Sequence, residues 1–137
     1  MSALNALYKK HKKDVEFFVV YIREAHAADS SWPDRRTEVL TPRSFEERKS
    51  VAKTCSIKLK IDLPLLIDDM RNTTEKKYRG WPDRLFLIGK DGRVVYRGGR
   101  GPWGFKPALL QAAIKKELGG QASPKASSAE SSKKRWF

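Results

Sequence analysis

The most strongly apolar stretch of the chain is the run Val-Glu-Phe-Phe-Val-Val-Tyr-Ile at residues 15–22. Its members are mostly β-branched or aromatic and do not alternate with polar residues, which is typical of a strand covered on both faces, as in a parallel sheet. The run ends in Arg-Glu-Ala-His-Ala-Ala-Asp at residues 23–29. The pattern therefore predicts a buried strand that is followed at once by titratable side chains.

Hydrophobic periodicity and chain breakers divide the rest of the sequence into a short series of elements. They are a helix at 2–14, a loop at 23–43, a helix at 44–57, a strand at 64–67, a short helix at 68–78, strands at 85–88 and 94–96, and a helix at 105–118. Ser44 is predicted to cap its helix. Asp-Gly within Gly-Lys-Asp-Gly-Arg is predicted to supply positive φ angles to a hairpin. Strands separated by helices, then a hairpin and a closing helix, predict a three-layer α/β domain.

The helix patterns also predict which side chains enter the core. On the helix at 44–57 these are Phe45, Ala52 and Cys55, and on the last helix Phe105, Leu109, Ala113 and Leu118. Cys55 is the one cysteine, which excludes an internal disulfide and a Cys-x-x-Cys pair. We interpret it as a small buried apolar residue rather than as a reactive thiol.

The chain carries a formal net charge of +13. Residues 119–137, rich in Ser, Ala and Lys, are predicted to form a disordered basic tail, which leaves residues 1–118 as one domain. The tail contains four Lys or Arg against one Glu, so most of the positive charge belongs to the domain. This charge favours an anionic ligand or serves solubility alone, and the sequence leaves both interpretations open.

Several classes of function receive no support from the sequence. The start of the chain has no apolar segment typical of a signal peptide, and no run is long enough to span a membrane, so a cytoplasmic location is expected. His11 and His26 lie on different predicted elements, and no cluster of Cys and His has the spacing of metal ligands. No phosphate-binding glycine loop is present.

Three segments, in order, resemble the iodothyronine deiodinases, a family of the thioredoxin-like redoxin superfamily. They are YIREAHAADSSWP from residue 21, IDDMRNTTEKKY from residue 67 and GGRGPWGF from residue 98. The stretch YRGWPDRLFLIGKDGRVVYRGG resembles the end of redoxin domains in general. The resemblance extends over residues 3–118 and implies a thioredoxin-like fold in which the bond before Pro82 is cis and lies beside the active site.

The resemblance implies a reaction and roles for individual residues. A selenocysteine or cysteine would remove iodine reductively from an aromatic ring, with a thiol reductant and no other cofactor. His26 would hold a phenolic oxygen or deliver a proton, and Glu24 would orient it. Arg100 would clamp a substrate carboxylate, for which a guanidinium offers two parallel donors, and Asp83 and Arg84 would complete the substrate site.

The sequence also departs from the family pattern. The position of a second histidine is Pro42, the position of a downstream cysteine is Leu63, and the nucleophile is not among the residues of this chain. The first strand of the thioredoxin fold is likewise not apparent, which predicts an unpaired gap between the strands at 15–22 and 85–88. We therefore expect a truncated chain, re-paired strands or a recruited partner, with a homodimer as one alternative. A selenocysteine UGA codon read as a stop would explain the start at Met1.

Two other functions remain open at this point. The chain is alternatively a thioredoxin-like or peroxiredoxin-like thiol oxidoreductase, or a non-catalytic module that binds an acidic aromatic ligand through Arg84 and Arg100. The four tryptophans and the positive charge are compatible with nucleic-acid binding. This function is disfavoured because no recognised DNA- or RNA-binding motif is present.

Overall fold

The computed structural model describes residues 1–34, 36, 38–119 and 134–136. The elements in this part of the chain form a mixed α/β arrangement. In chain order they are α1 Ser2–His11, β1 Val15–Phe17, β2 Val19–Tyr21, α2 Phe45–Lys58, β3 Leu65–Ile67, α3 Thr73–Tyr78, β4 Phe86–Ile88, β5 Val94–Arg97, α4 Pro107–Gly119 and β6 Lys134–Trp136. The α/β class predicted from the sequence is confirmed at this level.

The strand predicted at 15–22 is divided into β1 and β2, which flank Phe18. β1 belongs to a four-stranded sheet with the order β1-β6-β4-β5, whereas β2 pairs in parallel with β3. β6 runs parallel to β1 and antiparallel to β4. One apolar segment therefore contributes to both sheets, which accounts for its lack of polar alternation.

The core lies between the four-stranded sheet and the helices α1 and α4. Its buried members are Leu4, Leu7, Val15, Phe17, Leu63, Leu85, Leu87, Leu110 and Ile114. The predicted stripe on α4 is wrong at its centre, because Leu110 and Ile114 are buried and Leu109 is 52% exposed. Adjacent apolar residues allow two faces of this helix to serve as the core face, and packing against the sheet selects between them.

The helix α2 begins as the sequence predicts. Ser44 Oγ accepts a hydrogen bond from the Glu47 backbone N–H, so the predicted N-cap is confirmed. Its buried face was predicted less well: Phe45 is 44% exposed, whereas Ala52 and Arg48 are buried. The Arg48 guanidinium donates to the backbone carbonyls of Asp68 and Asp69 before α3. A contact between residues so far apart in the chain is not visible in a local pattern.

The predicted hairpin is confirmed, since β4 and β5 pair antiparallel. Within its turn only Gly92 is assigned a positive φ, of 80°. Asp91 acts differently from the prediction: its carboxylate accepts a hydrogen bond from the Arg93 backbone N–H. The tight reversal thus depends on one glycine and one side-chain bond.

The predicted gap between the strands around residues 15–22 and 85–88 lies between β1 and β4. In the structure β6 occupies this position. Of the tail predicted to be disordered at 119–137, Gly119 ends α4 and Lys134–Trp136 form β6. The remainder of that prediction, residues 120–133 and 137, lies outside the described residues.

Candidate functional site

A partly open cavity of about 430 Å³ lies where β2, β3, α2, α3 and the segment before β4 meet. Its walls are mainly apolar, and they include Phe18, Val20, Ile22, Leu59, Ile61, Leu65, Tyr78, Phe86 and Phe105. Four residues from the sequence prediction also line it, namely Glu24, Pro82, Asp83 and Arg84. An apolar cavity of a few hundred Å³ with a small number of polar groups has the size and character of a small-molecule site.

The segment before β4 forms one side of the cavity. The Trp81–Pro82 peptide bond is cis, the isomer that the sequence resemblance implies. The Arg23 guanidinium stacks over the Trp81 ring at 5.0 Å and its Nε lies 2.8 Å from Glu75 Oε2. Arg23 therefore joins the end of β2 to α3 and to the proline segment by a cation–π contact and an ion pair.

Asp83 connects this segment to the glycine-rich loop after β5. The Gly101 N–H donates to the Asp83 backbone carbonyl at 3.0 Å. A Cβ at position 101 would lie 1.4 Å from Asp83 Oδ1, so any larger residue there would have to displace the Asp83 carboxylate. Partial burial raises the pKa of Asp83, and a hydrogen bond from the Gly101 backbone to this carboxylate opposes the rise. Asp83 thus lines the cavity, and its carboxylate also accepts a hydrogen bond from the Gly101 backbone.

A cluster of arginines lies beside the same loop. Burial lowers the pKa of Arg84, and the positive charges of Arg97, Arg100 and Arg79 lower it further. Arg84 Nε is buried and has no hydrogen-bond partner among the described residues. Four guanidinium groups within electrostatic reach, one with an unpaired donor, form a place where an anion would be stabilised. We call these four residues the arginine cluster.

Glu24 brings a carboxylate to the cavity wall. Burial raises the pKa of Glu24, and the positive charges of His26 and Arg48 oppose this rise. Its Oε1 is buried and lacks a hydrogen-bond partner in the part of the chain that the structure describes. A carboxyl group in this setting is more easily protonated than an ordinary glutamate, which suits it to proton transfer.

His26 is exposed on the loop after β2 and does not line the cavity. Its Nδ1 lies 3.0 Å from the Trp32 backbone carbonyl oxygen, and its ring meets the Trp32 ring edge-on at 5.3 Å between centroids. Because a carbonyl only accepts hydrogen bonds, Nδ1 is the protonated nitrogen, and in the neutral ring Nε2 is then an acceptor. Glu24, the predicted orienting partner, interacts with His26 electrostatically. The hydrogen bond and the ring contact of His26 are made with Trp32.

Cys55 lies on α2 and also lines the cavity. It is half-buried, whereas the sequence pattern predicted a buried position. Burial raises the pKa of the Cys55 thiol, and the nearby Glu24 carboxylate raises it further. The thiol is therefore protonated at neutral pH and a weak nucleophile, as the sequence interpretation proposed.

The structure brings most of the predicted site residues to one region. Glu24, Pro82, Asp83 and Arg84 share the cavity wall, while His26 and Arg100 stand outside it next to Glu24 and Arg84 respectively. Sequence reasoning missed Arg79, Arg97 and Arg23. The first two lie within the stretch YRGWPDRLFLIGKDGRVVYRGG, so their position beside Gly80 and Gly98 was the available signal.

Two negative findings apply to the described residues. They contain no group of three or more Asp, Glu, His or Cys side chains placed to hold a metal ion. No described helix has both the length and the apolar character needed to cross a bilayer.

Comparison with known proteins gives a consistent result. The model of the family described as "Iodothyronine deiodinase" matches residues 1–118. The chain is 30% identical over 117 residues to "Type I iodothyronine deiodinase" of Xenopus laevis. This match covers 85% of this chain and 46% of that protein. It is 35% identical over 116 residues to "Thyroxine 5-deiodinase" of Homo sapiens. This match covers 81% of this chain and 36% of that protein.

The chain thus spans less than half the length of these relatives. The family match extends over helix, strand and loop segments alike, including the cavity residues Glu24, Pro82, Asp83 and Arg84. By this match, the chain belongs to the iodothyronine deiodinase family.

Proposed function

We propose that this chain carries the substrate-holding part of a reductive deiodinase site. The observation that carries the proposal is the apolar cavity lined by both Glu24 and Arg84 of the arginine cluster, in a chain that belongs to this family. The names of the relatives specify thyroxine as the first ligand to test. An iodinated aromatic amino acid has the apolar rings and the carboxylate that such a cavity and cluster suit.

The proposed arrangement assigns each end of the ligand to different residues. The iodinated rings occupy the apolar cavity, and the ligand carboxylate pairs with Arg84, whose Nε is unpaired among the described side chains, and with Arg100. The proposal places the phenolic end of the ligand beside Glu24 and His26, because a phenolic oxygen and a transferred proton need a donor and an acceptor. Asp83 and Pro82 shape the wall between the two ends.

The reaction proposed for the complete site is reductive. One aryl C–I bond is replaced by a C–H bond, two thiols are oxidised to a disulfide, and iodide and a proton are released. The attacking group must be a thiolate or selenolate, and the raised pKa of Cys55 makes its thiol unsuited to this role. Cys55 is the one cysteine of the sequence, so the proposal assigns substrate binding and proton transfer, not attack, to this chain.

The finer description of the fold belongs to the same proposal. A thioredoxin-like arrangement is supported by the antiparallel pair β4 and β5, the closing helix α4 and the cis bond before Pro82. We include the predicted cytoplasmic location, which fractionation of cells that express the chain would test.

Binding of thyroxine, followed by calorimetry, tests the proposal. We expect saturable binding that weakens about tenfold or more in Arg84→Ala, because a charged hydrogen bond contributes about 1.5–3 kcal/mol. Arg93→Ala is the matched control, since Arg93 lies in the exposed β4–β5 turn and not in the cavity wall. Absence of thyroxine binding, or equal weakening in both variants, would contradict the proposal.

A second candidate is a module that binds an acidic aromatic ligand without catalysis. The raised pKa of Cys55 favours this second candidate, because the chain then has the features of a binding site but no reactive thiol. An iodide-release assay with excess dithiol tests the interpretation of Cys55 that both candidates share: we expect no turnover by these 137 residues alone. Turnover that disappears in Cys55→Ser would show that our interpretation of this thiol is wrong.

A further inference from the structure

Arg23 lies at a point where three segments of the cavity region meet. It follows β2 and directly precedes Glu24, and both residues line the cavity. Its Nε donates a hydrogen bond to Glu75 Oε2 on α3 at 2.8 Å, and its guanidinium lies 5.0 Å from the centre of the Trp81 ring. One side chain therefore connects the segment of Glu24 with α3 and with the segment that precedes β4.

Glu75 gives Arg23 a fixed point of attachment. The Asp68 carboxylate, in a residue that is 3% exposed, accepts hydrogen bonds from the backbone N–H groups of Thr74 and Glu75 at 2.9 Å each. The Glu75 carbonyl accepts a further bond from the Gly80 N–H at 3.0 Å. Because the Glu75 side chain is only 9% exposed, its carboxylate needs a charged partner, and Arg23 supplies it.

Trp81 passes this constraint on to residues of the site. It immediately precedes Pro82, Asp83 and Arg84, which line the cavity. The Trp81 Nε1 is buried and has no hydrogen-bond partner among the described residues, so no such bond fixes the orientation of the indole ring. A guanidinium over an aromatic face attracts the ring electrostatically. The contact with Arg23 therefore restricts where the Trp81 ring lies, and with it the segment that carries Arg84.

We propose that Arg23 is a positioning residue that sets the spacing between Glu24 and Arg84 in the cavity. This role rests on the proposed function, in which the ligand meets Glu24 at its phenolic end and Arg84 at its carboxylate. Arg23 joins the two segments through Glu75 and Trp81, so a ligand that contacts both groups finds them already spaced for it. Such preorganisation strengthens binding, because the ligand does not have to order the site.

The test compares thyroxine affinities, measured by calorimetry, of the parent chain and the double variant Arg23→Met/Glu75→Gln. These changes keep the apolar parts of both side chains, leave no carboxylate without its partner and preserve the net charge. We expect thyroxine to bind the double variant about fivefold or more weakly. Trp81→Leu, which removes the aromatic face and keeps the ion pair, should weaken binding similarly. The control pair Arg93→Met/Glu38→Gln makes the same charge changes at exposed positions outside this cavity and should bind like the parent.

A mutant cycle with Arg84→Ala separates positioning from direct contact with the ligand. If Arg23 acts through Arg84, the change Arg23→Met/Glu75→Gln should weaken thyroxine binding by less than about twofold once Arg84 is already alanine. Arg23→Lys keeps a cation for both Glu75 and Trp81, so its thyroxine affinity should stay within about threefold of the parent value. Equal losses of affinity with and without Arg84 would overturn the positioning role.

Nuclear magnetic resonance of the chain without ligand tests the same role independently. The backbone amide signals of Asp83 and Arg84 should shift in Arg23→Met/Glu75→Gln and stay in place in the control pair. Shifted signals in a chain whose parent does not bind thyroxine would contradict the proposed function and support the positioning role. Parent-like thyroxine affinity and unshifted signals in the double variant would overturn the positioning role and leave the proposed function intact.

Discussion

At the scale of single residues, Glu24 shows how the cavity modifies an ordinary carboxyl group. Burial raises its pKa, so the folded state binds the proton of Glu24 more tightly than the unfolded chain. The stability associated with the neutral form is complete below the unfolded pKa of about 4.5 and is lost as the pH rises through the folded pKa. At neutral pH the ionised side chain is therefore a cost to the fold.

Glu24→Gln should accordingly be more stable than the parent chain at pH 7, and the difference should shrink towards pH 4. The reason is that glutamine fills the same space without a charge. Urea unfolding midpoints at the two pH values measure this, with the exposed Glu38→Gln as a control that should show no such pH dependence. A Glu24→Gln variant that is less stable at pH 7 than at pH 4, relative to the parent, would contradict the burial argument.

His11 makes the opposite prediction for acid. Its Nε2 is buried with no hydrogen-bond partner among the described residues, and burial lowers its pKa, with Lys10 and Lys115 adding to the effect and Asp14 opposing it. The unfolded chain thus binds the His11 proton more tightly, so stability that is complete above the unfolded pKa of 6.5 is lost as the pH falls from there through the lower folded pKa.

We expect the thermal unfolding temperature to decrease between pH 7 and pH 5, and to decrease less in His11→Leu. Leucine keeps the apolar contacts of this buried position and removes the titrating ring. His26→Gln, a change at the other histidine of the chain, should leave the slope as it is. Equal slopes in the parent and His11→Leu would assign the acid sensitivity to other groups.

At the scale of elements, the loop after β5 positions Arg100 through close backbone packing. A Cβ on Gly104 would lie 2.2 Å from the Gly99 carbonyl carbon and 2.6 Å from the Arg100 nitrogen. The Gly104 N–H also donates to the Arg100 carbonyl at 2.8 Å. The loop is therefore closed on itself. Glycine is required at position 104 because the backbone there packs directly against the backbone of Gly99 and Arg100.

Gly104→Ala should destabilise the fold by about 1–3 kcal/mol, the usual cost of overpacking, and should displace Arg100 from the arginine cluster. Urea unfolding measures the first effect, and thyroxine affinity the second. Gly119→Ala is the matched control, since a Cβ there meets nothing within 4 Å. Parent-like stability of Gly104→Ala would show that the loop opens without cost.

Elements set by local signals were predictable, and those set by distant partners were not. Ser44 capping α2 and Gly92 in the β4–β5 turn follow from the residues themselves. The buried position of Arg48 depends on carbonyls around Asp68, which the chain brings near only after folding. The choice of Leu110 over Leu109 likewise depends on the angle at which α4 packs on the sheet.

At the scale of the whole molecule, the residues of the site could be predicted from the sequence, whereas the pairing of the sheet could not. The resemblance to the family was enough to select residues that meet at the cavity, although Glu24 and the pair Asp83 and Arg84 come from separate segments. No local pattern predicts β6, because Lys-Arg-Trp has neither alternation nor apolar continuity, and its partners Val15–Phe17 are more than a hundred residues away.

The structure also shows where part of the net positive charge of the chain lies. The charges of Arg79, Arg97 and Arg100 act through space on Arg84, which concentrates part of the +13 charge beside this cavity-lining residue. The proposed function places a small anionic ligand, rather than an extended nucleic acid, beside this charge. The remaining lysines serve solubility equally well.

The most direct test of the account is the position of iodine in crystals of the chain grown with thyroxine, located by anomalous scattering. We predict iodine peaks inside the cavity, between β2 and the Cys55 face of α2, with the ligand carboxylate directed to Arg84. Crystals that contain thyroxine with iodine peaks only outside this cavity would contradict the proposed site.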